Sequence, residues 1–227
     1  MKQKTTTFSE TMLSLESEAH PLLDVFTDFL DLLVDGMTVG LDTTASYRRI
    51  LGKYPEDEAL MFKDAIARFQ AEFEELAESN GNTDILGGFY ETHFLPKERR
   101  FIPWETCRNI VAGLTAAEVE SMQRVAVDPR CGSGRLLLAY IQRFGVARLT
   151  LGIDPDPLLA KMAAVNLFCR GAFIGEIMSA DMFGDNDEFR FSYRMSLAPY
   201  GLIPIREQKM SRLWHMSRDI LVALMDN

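Results

Sequence analysis

The chain is poor in the residues that build metal and disulfide sites. It has three cysteines and three histidines in 227 residues. Cys107, Cys131 and Cys169 are odd in number and show no ligand spacing, while His20, His93 and His215 are scattered. The pattern argues against a disulfide framework, predicts no metal site, and points to a reducing, cytoplasmic setting. Long apolar runs are also missing. No stretch reaches the roughly eighteen residues of a spanning helix, and the polar opening MKQKTTTFSE does not read as a signal peptide, so no membrane role is expected. Base is scarce relative to acid: 24 Lys and Arg stand against 33 Asp and Glu, for a net charge of −9. Proteins that grip duplex DNA unaided present basic surfaces, because phosphate contacts release counterions. The balance therefore argues for DNA contact only weakly or through a partner. The small basic groups Lys97, Arg99, Arg100 and Arg206, Lys209, Arg212 read as solvated faces.

What the chain does have is apolar patterning. At 47% hydrophobic, it can bury a full core as one domain, or as one domain plus a helical appendage. Residues 1–19 are polar and read as frayed at their start. Leu22, Val25, Phe26, Phe29, Leu32 and Leu33 recur at helical spacing after Pro21. A second helix is expected over 55–79, with Phe62, Ile66, Phe69, Phe73 and Leu76 on one stripe. The turn Ser79-Asn-Gly-Asn-Thr83 sets the expected boundary. Residues 1–82 read as a helical region without visible chemistry, and 83–227 as an α/β domain.

The stretch that organises this second domain is RVAVDPRCGSGRLLLAY, Arg124 to Tyr140. A short apolar strand ends in Asp128, a turn with Gly132 and Gly134 follows, and an apolar helix resumes at Leu136. Strand, glycine turn and helix present backbone N–H groups to a ligand. An ordinary βα turn would look similar, but a second apolar strand follows, LTLGIDPDP, ending in Asp154. An acid there is where a nucleoside ribose is held. A nicotinamide dinucleotide needs G-x-G-x-x-G, and Leu137 occupies the third glycine position. Asp128 would also sit badly beside a pyrophosphate but well beside an ammonium. The residues thus point to S-adenosylmethionine (SAM).

DPRCGSG, GIDPDP and SADMF (Ser179 to Phe183) together resemble the cofactor half of the N6-adenine DNA methyltransferases, most closely the modification subunits of type I restriction systems. Asp128, Pro129, Cys131, Gly132, Ser133 and Gly134 match the first motif of that family, with Arg130 in place of a small residue. The likeness implies a Rossmann-like SAM-dependent methyltransferase fold with a short, mostly parallel sheet. It implies SAM held by the Asp128–Gly134 loop, Asp154 on the ribose, and Asp181 on the adenine amine. Phe183 reads as either a ring against the adenine or plain core. Asp84-Ile-Leu-Gly-Gly-Phe-Tyr90 is similar to a segment preceding the catalytic domain in that family. Arg100-Phe101-Ile102-Pro103 is similar to its F-Y-T-P motif, which closes over the methionine end; Phe101 and Pro103 are the implied contacts, and Ile102 replaces a threonine.

A fourth strand, Phe189 to Met195, leads into Ser196-Leu-Ala-Pro-Tyr-Gly201. In the resembled family this place reads Asn-Pro-Pro-Tyr or Phe, then Gly. Pro199 and Tyr200 match, but Leu197 replaces the asparagine and Ala198 the first proline. Asparagine accepts a hydrogen bond from the target amine, and losing one such positioned group costs about 10²–10³ in rate. Only one closing helix, 208–225, is expected afterwards, capping the sheet edge or docking a partner. Three readings stay open: an active minimal adenine methyltransferase, a degenerate relative that keeps the fold, with or without SAM, and works by interaction as a regulator or decoy of a restriction–modification system with a specificity or restriction-system subunit as partner, and a small-molecule methyltransferase.

Overall fold

The computed structural model describes residues 6–182 and 188–217, except the side chain of Arg99. The chain divides between Pro96 and Lys97 into two compact units.

The first unit is helical: α1 (Phe8–Leu13), α2 (Leu22–Met37), α3 (Thr43–Leu51), α4 (Glu56–Glu78) and α5 (Ile85–His93). Both helices expected from periodicity form within a residue or two of their expected bounds. Three more form as well, α1, α3 and α5. α1 begins in a reciprocal cap, with the Thr7 side chain accepting from Glu10 N–H and the Glu10 carboxylate accepting from Thr7 N–H. This helix is anchored by Phe8, Met12 and Leu15, which are almost wholly buried, while the start expected to fray, 1–5, lies outside the described residues. The Phe8 ring lies 5.1 Å from Phe29, 5.9 Å from Phe69 and 5.6 Å from Phe89, within the range of favourable ring pairs. Phe89 brings α5 into this cluster, stacked 5.2 Å from Phe26. The boundary therefore falls after Pro96 and not at residue 82, since 84–90 shares the aromatic core of the helices before it.

The second unit begins with α6 (Trp104–Ala112) and α7 (Ala116–Arg124), then alternates β1 (Val125–Asp128), α8 (Arg135–Phe144), β2 (Leu149–Asp154), α9 (Pro157–Cys169) and β3 (Gly175–Asp181). β4 (Glu188–Leu197) and β5 (Tyr200–Ile205) complete a five-stranded sheet in the order β1-β2-β3-β4-β5. β1, β2 and β3 run parallel, whereas β3–β4 and β4–β5 are antiparallel. The unit is thus α/β with a mixed sheet, not a mostly parallel one. Gly152 and Ile177 lie on the face that α9 covers, where a Cβ on Gly152 would come 3.0 Å from Ile177 Cδ1. Leu151, Ile153, Met178 and Ala180 face the other way, onto Leu213 and Trp214. Those two residues sit in a helical stretch over 212–217, part of the expected closing helix; 218–225 lies outside the described residues. No helix among the described residues is long and apolar enough to cross a membrane.

Candidate functional site

Parallel strands end at the same side of a sheet, so Asp128, Asp154 and Asp181 all lie at one end of it. Gly132 and Gly134 adopt positive φ, +55° and +88°, a region that L side chains enter at a cost of about 1–2 kcal/mol. Gly134 serves as the N-cap of α8 with no side-chain cap, leaving the first helical amides directed at whatever occupies the space before them.

The loop is braced from beneath. Gly132 N–H donates to Asp154 Oδ2 (2.9 Å) and Asp156 N–H to Asp154 Oδ1 (2.9 Å). Cys131 N–H donates to Ile153 C=O (2.9 Å), Gly134 N–H to Cys131 C=O (2.8 Å), and Asn166 Nδ2 to Ser133 C=O (2.9 Å). Arg130 N–H donates to Asp128 Oδ1 (3.0 Å). Burial raises the pKa of both Asp128 and Asp154 above the ordinary 3.8, against the lowering effect of the amides they accept. Burial, then the carboxylates of Asp154 and Asp128, pushes the Cys131 thiol well up, which disfavours its thiolate.

Beside the loop opens a cleft of about 680 Å³, within the range of small-molecule sites. Phe101, Asp128, Cys131, Gly132, Ser133 and Asp154 line it. Of the other expected cofactor residues, Gly134 lies beneath the loop against Leu167 and Ala163, Pro103 is the N-cap of α6, and Asp181 lies at the end of β3; none of the three lines the cleft. Phe183 lies outside the described residues. Residues outside the expected cofactor contacts complete the wall: Arg100, Ile102, Cys107, Arg130, Arg135, Leu136 and Leu159. Arg135 matters most among them. It is buried, its Nη1 donates to Ile102 C=O (3.2 Å), and its guanidinium lies 5.0 Å from the Phe101 ring centre. It thereby ties residues 101–102 to the start of α8. The signal for it was an arginine at the first helical position of an otherwise apolar stretch.

Pro199 and Tyr200 lie elsewhere. Because β4 runs antiparallel to β3, with Asp181 opposite Glu188 and Gly175 opposite Met195, the Leu197–Tyr200 turn is at the other end of the sheet. The seven residues of β3 run between the two ends, about 20 Å at the rise of a strand. Tyr200 packs on Phe168 and Phe173, with ring centres 5.0 and 5.1 Å apart, and is otherwise exposed. The structure therefore does not bring the expected catalytic pair to the cleft. Among the described residues no three His, Cys, Asp or Glu group to hold a metal ion. Comparison with family models, curated proteins and solved structures returned no match, so the reading of this cleft rests on its own residues.

Proposed function

We propose that the second unit is a Rossmann-like SAM-binding module, related to the N6-adenine DNA methyltransferases, that does not itself methylate adenine and works by interaction within a restriction–modification type of system. The cleft's composition supports the ligand. Carboxylates (Asp128, Asp154) and guanidiniums (Arg100, Arg130, Arg135) line one space with an aromatic ring, Phe101. A zwitterion carrying a nucleoside suits this mixture, whereas a pyrophosphate would meet Asp128 unfavourably. On this reading Asp128 takes the ammonium, the uncapped α8 terminus and its arginines take the carboxylate, and Asp154 holds a ribose hydroxyl with the acceptor capacity left over from its two amides. Bound SAM would supply an activated methyl.

The observation that carries the loss of catalysis is the direction of β4. Methyl transfer needs the reacting atoms about 3–3.5 Å apart and an acceptor positioned on the amine. The Leu197–Tyr200 turn is about 20 Å from the loop end of the sheet and lacks the asparagine in any case. Incubation with methyl-tritiated SAM and unmethylated DNA tests both halves. Label should be retained by the protein and not enter DNA, for wild type and for Leu197→Asn alike. Label in DNA above the protein-free control overturns the loss of catalysis, and no label retained on the protein overturns the ligand assignment.

A further inference from the structure

β2 borders two spaces, one at each of its ends. Asp154, where it finishes, lines the cleft; Leu149, where it starts, lines a second cavity of about 230 Å³. This cavity opens on the face of the sheet that Leu213 covers. Leu149, Leu151, Ile174, Met195, Leu213 and Met216 give it an apolar wall. Glu176 and Arg194 stand in the same wall, and Arg212 lies exposed at the rim, where its charge is solvated.

Glu176 opposes Arg194 across β3 and β4, so the two side chains share a face. Glu176 is only 3% exposed, and a carboxylate at such depth needs partners. Its Oε1 is well supplied, accepting from the Ser192 hydroxyl (2.7 Å) and the Ser211 hydroxyl (2.5 Å). Its Oε2 is not. Among the described residues it faces Arg194 Nη2 at 3.7 Å, an ion pair too long for a hydrogen bond. Arg194 Nη2 donates instead to Met210 C=O (3.0 Å). Arg194 Nε is buried and meets no hydrogen-bond partner among the described residues. Buried donors are seldom left unmade, because each forfeits its hydration, and more so when charged.

These features state what an occupant must bring. It needs an acceptor for Arg194 Nε, a donor for Glu176 Oε2, and an apolar body beside them. Its polar head should carry no net charge, because Glu176 and Arg194 already balance each other and a surplus buried charge would be uncompensated. Water can meet the two polar groups but gains nothing from the apolar wall. At roughly 30 Å³ for each water-sized group, the cavity holds about eight non-hydrogen atoms.

We propose that this cavity binds a free α-amino acid with an apolar side chain the size of leucine or methionine. The ligand carboxylate accepts from Arg194 Nε, its ammonium donates to Glu176 Oε2, and its side chain rests against the apolar wall. The site is separate from the SAM cleft, and neither assignment depends on the other.

Calorimetric titration of the full chain with L-leucine and with L-methionine should give saturable one-to-one binding. Isocaproate lacks the amine and isoamylamine lacks the carboxylate. Each should bind about tenfold more weakly than leucine, or worse, for the loss of one charged hydrogen bond. Glu176→Gln keeps the size of the side chain and an acceptor for the two serines. It should weaken leucine by about tenfold or more and leave isocaproate unchanged, a selectivity that damage to the fold, which would weaken both, cannot produce. The comparison of ligands on wild type needs no variant. No saturable binding of either amino acid overturns the proposal, as does equal affinity for leucine, isocaproate and isoamylamine. So does Glu176→Gln binding leucine as wild type does, or competition between leucine and SAM, which would place leucine in the cleft.

Discussion

Replacing Asp154 with alanine separates its structural role from any ligand role. Both carboxylate oxygens already accept an amide at 2.9 Å, one from Gly132 and one from Asp156, and the residue is 6% exposed. Removing the acceptor strands two donors, each costing about 1–3 kcal/mol if buried. Two effects reduce that sum. Gly132 N–H faces the cleft, where water replaces part of the lost bond. The raised pKa of Asp154 also records a desolvation cost that the substitution relieves. The expected net loss is about 2 kcal/mol, with Asp154→Asn losing roughly half as much because one acceptor oxygen remains. Trp104 and Trp214 are the chain's two tryptophans and both lie in the second unit, so urea unfolding followed by tryptophan fluorescence reports that unit. A loss below about 0.5 kcal/mol, the scatter expected of a surface change, would show that the carboxylate does not brace the loop.

Three further outcomes follow from the packing. A Cβ on Gly175 would lie 1.9 Å from the Thr150 carbonyl oxygen and 2.7 Å from Met195 Cε, so Gly175→Ala should cost about 3 kcal/mol or more by separating β2 from β3; a urea midpoint near wild type would refute that. Phe8→Ala should destabilise the helical unit by about 3–5 kcal/mol, seen as an early loss of helical circular dichroism on heating while the tryptophan signal holds; coincident wild-type melts would contradict the placement of Phe8 in that core. Asp128 carries a folded-state pKa above 3.8 because burial disfavours its charge. The folded chain then binds that proton more tightly than the unfolded one, so the associated stability is full below 3.8 and is lost as pH rises through the folded value. Wild type should accordingly gain stability relative to Asp128→Asn as pH falls from neutral toward 3.8, and a gain in the opposite direction would refute the burial argument.

The sequence made some of this legible and hid the rest for identifiable reasons. The apolar stripes of α2 and α4 repeat at helical period over several turns, so their positions followed directly. The acid-ended strands β1, β2 and β3 and the glycine loop were readable because each carries its chemistry at its end. α1 carried a signal that went unused, the Thr7-x-x-Glu10 cap ahead of buried Phe8 and Met12. The direction of β4 was the costly miss. A pleated strand reads the same both ways, and a motif resemblance suggested that its end should sit beside the loop. Yet only six residues separate Asp181 from Glu188, and a parallel return needs a crossover of about a dozen or more. That spacing already required an antiparallel partner. Arg135 was missed because its role depends on Ile102 and Phe101, distant in sequence and joined only by the fold.

The central claim is that the loop from Asp128 to Gly134 and its cleft hold SAM. Isothermal titration of the full chain with SAM, run beside Gly132→Val, tests it directly. A branched side chain at φ +55° both strains the loop and fills the space beside Phe101. Wild type should give a saturable one-to-one isotherm that the variant lacks while its tryptophan unfolding remains cooperative. No heat of binding in wild type, or an identical isotherm in Gly132→Val, would contradict it.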